Sequence, residues 1–377
     1  MIETEEQATA VGDLRVTVSR DELAQKLGVV ARGVSSRTAV QILSGILLRS
    51  ANGRLHLAAT DMEVSLRASL AAQVEGEGSV VVPGKLIVDL VRHLPAEQVV
   101  IEHAAESGTL RITSGTSVSQ MNTYAATDFP RLPELDMQLH ELQAEAVLET
   151  IGRVRRAASR DESRPVLTGI LVRFEPGKLV MVATDSYRLS VKETPLDGDV
   201  PELEAIVPAR ALEELQRIAA GAEKLELGVR ENQVIFGADG VWLTTRRIDG
   251  QFPNFRQLLP ETFEHEVRIG RTELLEVVRR TSVLAQRNSP LRLRFSEGEL
   301  VVSSQTQDVG ESRESLPVGF TGEAMEIGFN AEFLRDGIDS VDGDDVLLRL
   351  ISPLRPGLLK GANGDFWYLI MPIRLAG

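Results

Sequence analysis

The sequence of 377 residues is too long for one typical core, so it predicts two or three domains. Its net charge of −14 argues against a uniformly basic nucleic-acid-binding domain, although arginines gathered on one surface could still bind phosphates. The chain has no cysteine, which excludes disulfides, thiol catalysis and cysteine-based zinc sites and fits a reducing cytoplasm. No apolar run approaches the roughly 18 residues that span a membrane, so no membrane partner is expected.

The first predicted elements are a strand and a helix. Residues 1–13 form an acidic stretch without the pattern of a signal peptide, which predicts a disordered extension. Residues 14–18 alternate between apolar and polar as a strand does. Ser19 and Glu22 form an S-x-x-E capping box, so a helix should begin there. The apolar positions of this helix follow at helical spacing: Leu23, Leu27, Val30 and Val34.

A hairpin and a second helix come next. Asn52-Gly53 separates two apolar runs and favours the tight turn of a β-hairpin. Pro83 follows a further strand, at a place where proline suits a helix start. The apolar positions predicted for this second helix are Leu86, Leu90 and Leu94. With further hairpins, the unit has two helices and about eight short strands, an α+β arrangement.

The same landmarks then recur twice along the chain. The strand that ends in Ala-Thr-Asp61 reappears as Ala-Thr-Asp185, and less closely around Gln305. A strand followed by a helix start recurs at Pro208 and at Asn330, the latter as an N-cap. Landmarks in one order at one period indicate tandem domains, because about 120 residues can form a core of their own. The predicted bounds are 14–134, 135–260 and 261–377.

The predicted helices carry net positive charge within an acidic chain. They span residues 20–33, 84–94, 145–160, 209–220, 271–287 and 331–341. Arg153, Arg156 and Arg160 would share one helix face, which could bind phosphates without reading sequence. A solvated helix face explains these charges equally well. The candidate DNA-facing residues are Arg37, Arg153, Arg156, Arg160, Arg164, Arg210, Arg217, Arg279 and Arg280.

Several motifs resemble one known family. The three units, together with residues 164–169 (RPVLTG), 252–256 (FPNFR) and 371–375 (MPIRL), resemble the bacterial DNA polymerase III beta subunits, the sliding clamps. The resemblance runs from Leu14 to Leu375. It implies three clamp domains, each with two helices and two four-stranded sheets. Two chains would then assemble head to tail into a six-domain ring.

The resemblance also implies the function of that ring. It would encircle double-stranded DNA in the cytoplasm, at the replisome, and confer processivity on the DNA polymerase III catalytic subunit. The clamp loader, other DNA polymerases and repair proteins would bind to the same clamp through short peptides. No catalysis, cofactor or metal is implied.

One apolar cleft between the second and third domains is implied as the peptide site. The matching residues are Leu167, Thr184, Ser186, Tyr187, Arg188, Leu189, Pro253, Leu258, Met371, Pro372, Ile373, Arg374 and Leu375. Core packing alone could account for Leu167, Leu189 and Leu258. Val283 and Leu284 match an apolar pair at the dimer interface of the family, and core packing explains these two equally well.

Alternative functions remain open at this level. Asp61 and Asp185 could suggest a catalytic carboxylate pair, but a carboxylate repeated at one local place indicates turn capping. The five histidines show no metal-ligand spacing, and no phosphate-binding loop motif is present. A specialised or inhibitor-resistant second copy of the clamp would keep the ring and alter its rim. Gln257, where a basic residue is common, and the additional Ala376-Gly377 lie there. A scaffold that binds no DNA is the third alternative.

Overall fold

The computed structural model describes residues 12–35, 39–196, 200, 202–285, 289–306, 309–361 and 363–375. Arg37, Ala376-Gly377 and residues 1–11 of the acidic stretch lie outside the described residues. The chain divides into two compact units. The first consists of Met1–Ala144 and Glu214–Arg247, and the second of Glu145–Glu213 and Ile248–Gly377. None of the described helices is long and apolar enough to cross a membrane.

Short antiparallel strands are the main regular elements of the described part of the chain. In chain order they are β1 (Leu14–Ser19), β2 (Gly45–Ala51), β3 (Arg54–Thr60), β4 (Val64–Ala71), β5 (Gln73–Gly76), β6 (Ser79–Pro83), β7 (Gln98–His103), β8 (Thr109–Ser114), β9 (Ser117–Asn122), β10 (Leu139–Gln143), β11 (Gly169–Glu175), β12 (Lys178–Thr184), β13 (Arg188–Pro195), β14 (Glu204–Pro208), β15 (Lys224–Arg230), β16 (Gln233–Ala238), β17 (Val241–Arg246), β18 (His265–Gly270), β19 (Leu291–Ser296), β20 (Glu299–Thr306), β21 (Gly310–Pro317), β22 (Met325–Phe329), β23 (Asp345–Leu350), β24 (Gly357–Lys360) and β25 (Phe366–Ile370). The helices are α1 (Arg20–Val30), α2 (Gly84–Arg92), α3 (Ala144–Val154), α4 (Pro165–Thr168), α5 (Ala209–Ile218), α6 (Arg271–Ser282) and α7 (Ala331–Ser340).

The strands form two sheets in each unit. In the first unit the orders are β5-β1-β7-β8-β9 and β10-β15-β16-β17-β4-β3-β2-β6. In the second unit they are β14-β11-β12-β13-β25-β24-β23-β18 and β21-β20-β19-β22. Each eight-stranded sheet joins four strands of one repeat to four of the next, through the β17–β4 and β13–β25 pairs. The α+β fold with two four-stranded sheets per repeat is therefore confirmed, with β5 as an additional edge strand in the first repeat.

The starts of the helices differ in part from the prediction. Asn330 caps α7 as expected, because its side chain accepts a hydrogen bond from the Phe333 N–H at 3.0 Å. The capping box at Ser19 is wrong, since its side chain makes no cap hydrogen bond. The N–H of Arg20 instead donates to the Glu97 carbonyl at 2.8 Å. The first residues of α3 and α6 donate in the same way to the carbonyls of Glu223 and Asp344.

The buried face of α2 also differs from the predicted one. Leu86 is 58% exposed, and Leu90 is only half-buried. The core side of the helix consists of Ile87, Val88, Val91 and Leu94. Both sets have helical spacing, so periodicity could not decide between them. The exposed Leu86 is therefore a correction to the predicted core.

The first helices of the three repeats align without a gap. Each has buried residues three, seven and ten positions after its first residue. These are Leu23, Leu27 and Val30 in α1, Val147, Ile151 and Val154 in α3, and Leu274, Val278 and Thr281 in α6. The structure thus assigns equivalent positions in the three repeats residue by residue.

Candidate functional site

The turn after the second Ala-Thr-Asp strand carries several of the predicted cleft residues. Asp185 Oδ1 accepts hydrogen bonds from the N–H groups of Tyr187 (2.9 Å) and Arg188 (3.0 Å). Asp61 makes the equivalent pair of hydrogen bonds in the first repeat. Ser186 has a left-handed φ of 79°, which this side-chain-to-backbone turn holds in place. The turn-capping interpretation of both aspartates is confirmed, and the turn leaves the Tyr187 side chain 62% exposed.

Arg188 lies beneath this turn in a buried polar network. Its Nε donates to Asp185 Oδ2 at 3.0 Å, and its Nη1 donates to Asp336 Oδ2 at 2.7 Å. The guanidinium lies 4.2 Å from the centre of the Phe333 ring, a cation–π contact. The Tyr368 hydroxyl is 3.3 Å from the same Nη1. Arg188 is only 8% exposed, so its side chain connects the second and third repeats and does not face solvent.

Two side chains of this network, Tyr368 and Arg188, have shifted pKa values. Burial raises the pKa of Tyr368 well above its usual value and outweighs the opposing effect of Arg188. The hydroxyl therefore stays protonated and donates to the Phe333 carbonyl at 2.9 Å. Burial alone would lower the pKa of Arg188, but Tyr368 and the two carboxylates raise it overall. The arginine remains charged and paired.

The C-terminal segment runs beside the turn and is anchored by its backbone. The Met371 N–H donates to the Tyr187 carbonyl at 2.9 Å, and the Ile373 N–H donates to the Gly328 carbonyl at 2.8 Å. Leu375 covers Gly328, with its Cδ2 2.6 Å from the place that a Cβ would occupy. Met371 remains 44% exposed. The segment therefore places an exposed methionine next to the exposed tyrosine.

A buried apolar cluster contains residues that lie close in sequence to these exposed side chains. Its buried members are Leu171, Val180, Val182, Leu189, Val191, Phe255, Leu358 and Leu369. A short 3-10 helix, Phe255–Leu258, buries its first residue in the cluster and leaves Leu258 50% exposed. Core packing thus explains Leu189 and the buried Leu167 but not Leu258.

The predicted cleft residues fall into two groups. Leu167, Thr184, Arg188 and Leu189 are buried. The exposed or half-buried ones are Ser186, Tyr187, Pro253, Leu258, Met371, Pro372, Ile373, Arg374 and Leu375. The Thr184 hydroxyl donates to the Arg188 carbonyl at 2.6 Å, so it stabilises the turn. Only the second group has side chains that a partner could contact.

Arg164, a predicted DNA-facing residue of the loop before the hairpin of the second repeat, lies beside the Asp185 turn. Its Nη1 donates to Ser186 Oγ at 3.0 Å, and its Nε donates to Asp161 Oδ2 at 3.2 Å. Hydrogen bonds from Ser163, followed by the pairing with Arg164, hold the pKa of Asp161 below its usual value. Arg164 therefore contacts the same turn as Tyr187.

Two of the predicted DNA-facing arginines are held by α7. Arg153 Nη1 donates to the Ser340 carbonyl at 2.9 Å, and Arg156 pairs with Asp336 and Asp339. The α-helix ends at Val154 and a 3-10 turn, Arg155–Ala157, follows it. Arg160 lies beyond both elements, so the interpretation of one helix face shared by Arg153, Arg156 and Arg160 is wrong.

The remaining predicted basic residues differ in their exposure and in their acidic partners. Arg217 pairs with Glu214, and Arg280 pairs with Glu314 at 2.7 Å and with Glu276 at 3.4 Å. Arg160, Arg210 and Arg279 are exposed, and Arg279 lies 4.0 Å from Asp339. Among the described residues, no group of three or more acidic or histidine side chains could hold a metal ion.

The two predicted interface residues lie just after α6. Val283 is 78% exposed, which core packing cannot explain, and Leu284 is half-buried. Leu284 Cδ1 lies 4.0 Å from the place that a Cβ of Gly310 would occupy, next to the edge strand β21.

Comparison with known proteins accounts for this arrangement of repeats. Family models of the DNA polymerase III beta subunit match the chain in three consecutive parts. The N-terminal domain matches residues 14–133, the central domain 141–254 and the C-terminal domain 256–374. The chain belongs to the DNA polymerase III beta subunit family.

Individual clamps of this family match along nearly the whole chain. The beta sliding clamp of Streptomyces coelicolor is 31% identical over 97% of this chain and all of its own length. That of Synechococcus elongatus is 34% identical over 96% and 100%. A crystal structure of the sliding clamp from Bartonella birtlesii, bound to griselimycin, has a TM-score of 0.89. It is 27% identical and covers 96% of this chain and 100% of its own.

Sequence reasoning missed three residues that hold this clamp together. Asp336, Phe333 and Tyr368 surround Arg188 from the third repeat, and Asp336 is 148 positions away in sequence. The alignment of the repeats contains a signal for one of them. Asp336 lies five residues after the start of α7, as Glu214 does after the start of α5. Both acids pair with an arginine of the preceding repeat.

Proposed function

We propose that this chain is a replicative DNA sliding clamp, with three domains bounded at 14–134, 135–260 and 261–377. Two copies form a ring that encircles double-stranded DNA without reading its sequence. The ring confers processivity on the DNA polymerase III catalytic subunit and also binds the clamp loader, other DNA polymerases and repair proteins. It has no catalysis of its own and acts in the cytoplasm at the replisome. The alternative of a specialised second copy is not favoured.

The pairing of strands across the repeat junctions is the observation that supports the proposed ring. At each junction within the chain, the last strand of a repeat pairs with a strand of the preceding repeat, as β17–β4 and β25–β13. The strand equivalent to β17 and β25 in the first repeat is β9, and the strand equivalent to β4 and β13 in the third repeat is β21. Within the described residues, each of these two strands pairs with a neighbour on one side only. Free edges of this kind pair readily with another chain. A head-to-tail β9–β21 pair between two copies follows the rule of both internal junctions.

The internal junctions also give the register of that pair. Val64 and Arg188 begin β4 and β13 and lie opposite Thr245 and Ile370. By repeat equivalence, Gly310 at the start of β21 lies opposite Met121 of the other copy. Glu314 then lies opposite Ser117. The core-facing residues of both strands fall on the same side, as one continuous sheet requires.

The partner peptide binds to the exposed residues around the Asp185 turn. Tyr187, Leu258 and Met371 provide apolar contact area, and Pro253 and Pro372 lie beside them in sequence. Large apolar side chains on rigidly bonded backbone suit an apolar peptide segment, because little conformational entropy is lost on binding. Thr184, Leu167, Arg188 and Leu189 support the site from beneath.

Contacts with DNA come from exposed arginines. Arg160, Arg210 and Arg279 have exposed side chains that can reach phosphates, and Arg279 also pairs with Asp339 at 4.0 Å. Arg153 and Arg156 are held more closely by their partners on α7. Side-chain contacts to phosphates are independent of sequence and weaken with salt. They are compatible with a ring that moves along the duplex.

Retention on DNA of different topology tests the proposed function. The protein is loaded by its cognate clamp loader onto nicked circular plasmid, isolated by gel filtration, and filtered again after linearisation of the plasmid. We expect retention on the circle and loss from the linear form. Equal retention on both forms would mean ordinary surface binding and would overturn the proposal.

Reversing two exposed charges should weaken the contact with DNA. With Arg160→Glu and Arg279→Glu together, the salt dependence of the equilibrium affinity for a short linear duplex, measured by fluorescence anisotropy, should become shallower by about one unit of slope for each phosphate that the variant no longer binds. The matched control is Arg268→Glu, because Arg268 is exposed but lies on β18 and outside the proposed lining. An unchanged salt dependence of the duplex affinity in the double variant would show that these residues do not bind phosphates.

A further inference from the structure

The sulfur atoms of this chain belong to its methionines. The sequence has seven methionines and no cysteine, so a thioether is the only kind of sulfur that an oxidant can attack. Among the described residues, Met62 is 60% exposed and Met371 is 44% exposed. The other described methionines are buried or half-buried: Met121, Met137, Met181 and Met325. An oxidant in solution therefore reaches the sulfur atoms of Met62 and Met371 first.

The two exposed methionines have different surroundings. Met371 lies in the proposed peptide site, where its N–H donates to the carbonyl of the exposed Tyr187 at 2.9 Å. Met62 lies in the equivalent turn of the first repeat. There the exposed Glu63 takes the place of Tyr187, and the exposed Arg246 takes the place of Met371. Only Met371 therefore lies among apolar anchors, and Met62 is an internal control of similar exposure.

Oxidation of Met371 alters the side chain and leaves its backbone contacts intact. A thioether that gains one oxygen atom becomes a sulfoxide, which is polar and chiral. The segment stays anchored by the Met371 N–H and by the Ile373 N–H, which donates to the Gly328 carbonyl at 2.8 Å. Leu375 packs over Gly328 farther along the segment. The segment therefore keeps its place while the surface that it presents becomes polar.

A polar group at this position opposes the binding of an apolar peptide. The flexible, polarisable methionine side chain suits contact with varied apolar partners. A sulfoxide oxygen beneath an apolar peptide would lose its hydrogen bonds to water and gain none in return. The same change at Met62 has no such effect, because charged side chains surround that turn in place of the tyrosine and the second methionine.

We propose that Met371 is a redox-sensitive modification site that controls partner binding at the peptide site. The sulfur lone pair takes one oxygen from hydrogen peroxide, the O–O bond breaks, and the other oxygen leaves as water. The sulfur loses two electrons and the peroxide gains them. Methionine sulfoxide reductases reverse the step with two electrons from a dithiol. The inference rests on the proposed peptide site and adds its regulation, in which the oxidised clamp stays on DNA but binds its partners weakly.

Peptide affinity before and after oxidation tests the inference. The full-length protein is treated with hydrogen peroxide, which catalase then removes. A fluorescein-labelled, methionine-free clamp-binding peptide of the DNA polymerase III catalytic subunit is titrated by fluorescence anisotropy. Oxidation of Met371 should raise the dissociation constant about tenfold, and both classes of methionine sulfoxide reductase together should restore it. Peptide mass spectrometry gives the fraction of Met62 and of Met371 that has gained an oxygen atom.

Three variants assign the effect to one sulfur atom. Met371→Leu removes the thioether but keeps an apolar side chain, so its affinity after treatment should equal its own affinity before treatment. Met62→Leu retains Met371 and should lose affinity on treatment as wild type does. Met371→Gln imitates the polarity of the sulfoxide without any oxidant and should raise the dissociation constant about tenfold. Oxidised wild type should remain on nicked circular plasmid as untreated protein does.

The outcomes separate this inference from the proposed function. If wild type with fully oxidised Met371 binds the peptide within about twofold of untreated protein, the inference is wrong. It is also wrong if treated Met371→Leu loses affinity as wild type does, or if Met371 resists an oxidant that converts Met62. In each case the untreated clamp can still bind peptide and encircle DNA. Untreated wild type that does not bind the peptide would instead overturn the proposed peptide site.

Discussion

Arg188→Met should destabilise the second compact unit by about 3–5 kcal/mol, because it removes the nearest cation from two buried carboxylates, those of Asp185 and Asp336. Asp185 would keep the hydrogen bonds of its turn, but Asp336 would lose its closest charged partner, at 2.7 Å. The Phe333 ring would also lose the guanidinium that it covers. The measurement is the free energy of unfolding of the full chain in urea, followed by tryptophan fluorescence and circular dichroism.

A double-mutant cycle distinguishes disruption of the network from disruption of packing. Asp336→Asn removes the facing charge, so its cost and that of Arg188→Met should overlap strongly and not add. Arg268→Met is the control, since Arg268 is exposed and its nearest acidic partner is 3.8 Å away. A destabilisation below about 1 kcal/mol for Arg188→Met would mean that the network contributes no more than a surface ion pair.

Tyr187→Ala combined with Met371→Ala should weaken the binding of a partner peptide about 100-fold, because truncation of a large exposed anchor typically costs more than about 1 kcal/mol. The two side chains are neighbours through the hydrogen bond between their backbones. A fluorescein-labelled clamp-binding peptide of the DNA polymerase III catalytic subunit, titrated by fluorescence anisotropy, gives the dissociation constant.

The control for this variant lies in the first repeat. Met62 occupies the equivalent turn after Asp61 and is 60% exposed, so Met62→Ala should leave peptide affinity unchanged. Retention of the double variant on circular DNA should also match wild type, because the ring does not depend on these side chains. Peptide binding within threefold of wild type in the double variant would move the site elsewhere on the clamp.

Local signals in the sequence predicted many of the turns and strands of the fold. The Asn52-Gly53 turn adopts positive φ at both residues, and the Asp61 and Asp185 turns form as their side chains suggest. These features depend on a few adjacent residues, so periodicity and turn chemistry could predict them. The repeat period predicted the remaining elements, because it required each helix and hairpin to occur three times.

The errors arose where distant residues decide the outcome. Periodicity places Leu86 in the core because both faces of α2 have apolar residues at helical spacing, and only packing against the rest of the repeat selects Ile87 and Val91. The helix containing Arg153 ends six residues before Arg160, which no charge pattern could reveal. The candidate cleft followed from family resemblance, but the role of Arg188 depends on Asp336 in another repeat. Which cleft residues bind a partner stays a prediction.

The middle repeat has no compact unit of its own. Its β10, β15, β16 and β17 strands belong to the first unit, and its β11 to β14 strands to the second. Cooperative unfolding follows contacts and not repeat boundaries, so local opening should involve two blocks of amides instead of three. In hydrogen exchange, amides of β17 should be protected together with β4, and amides of β13 with β25. An excised middle repeat would expose both of these edges and should aggregate.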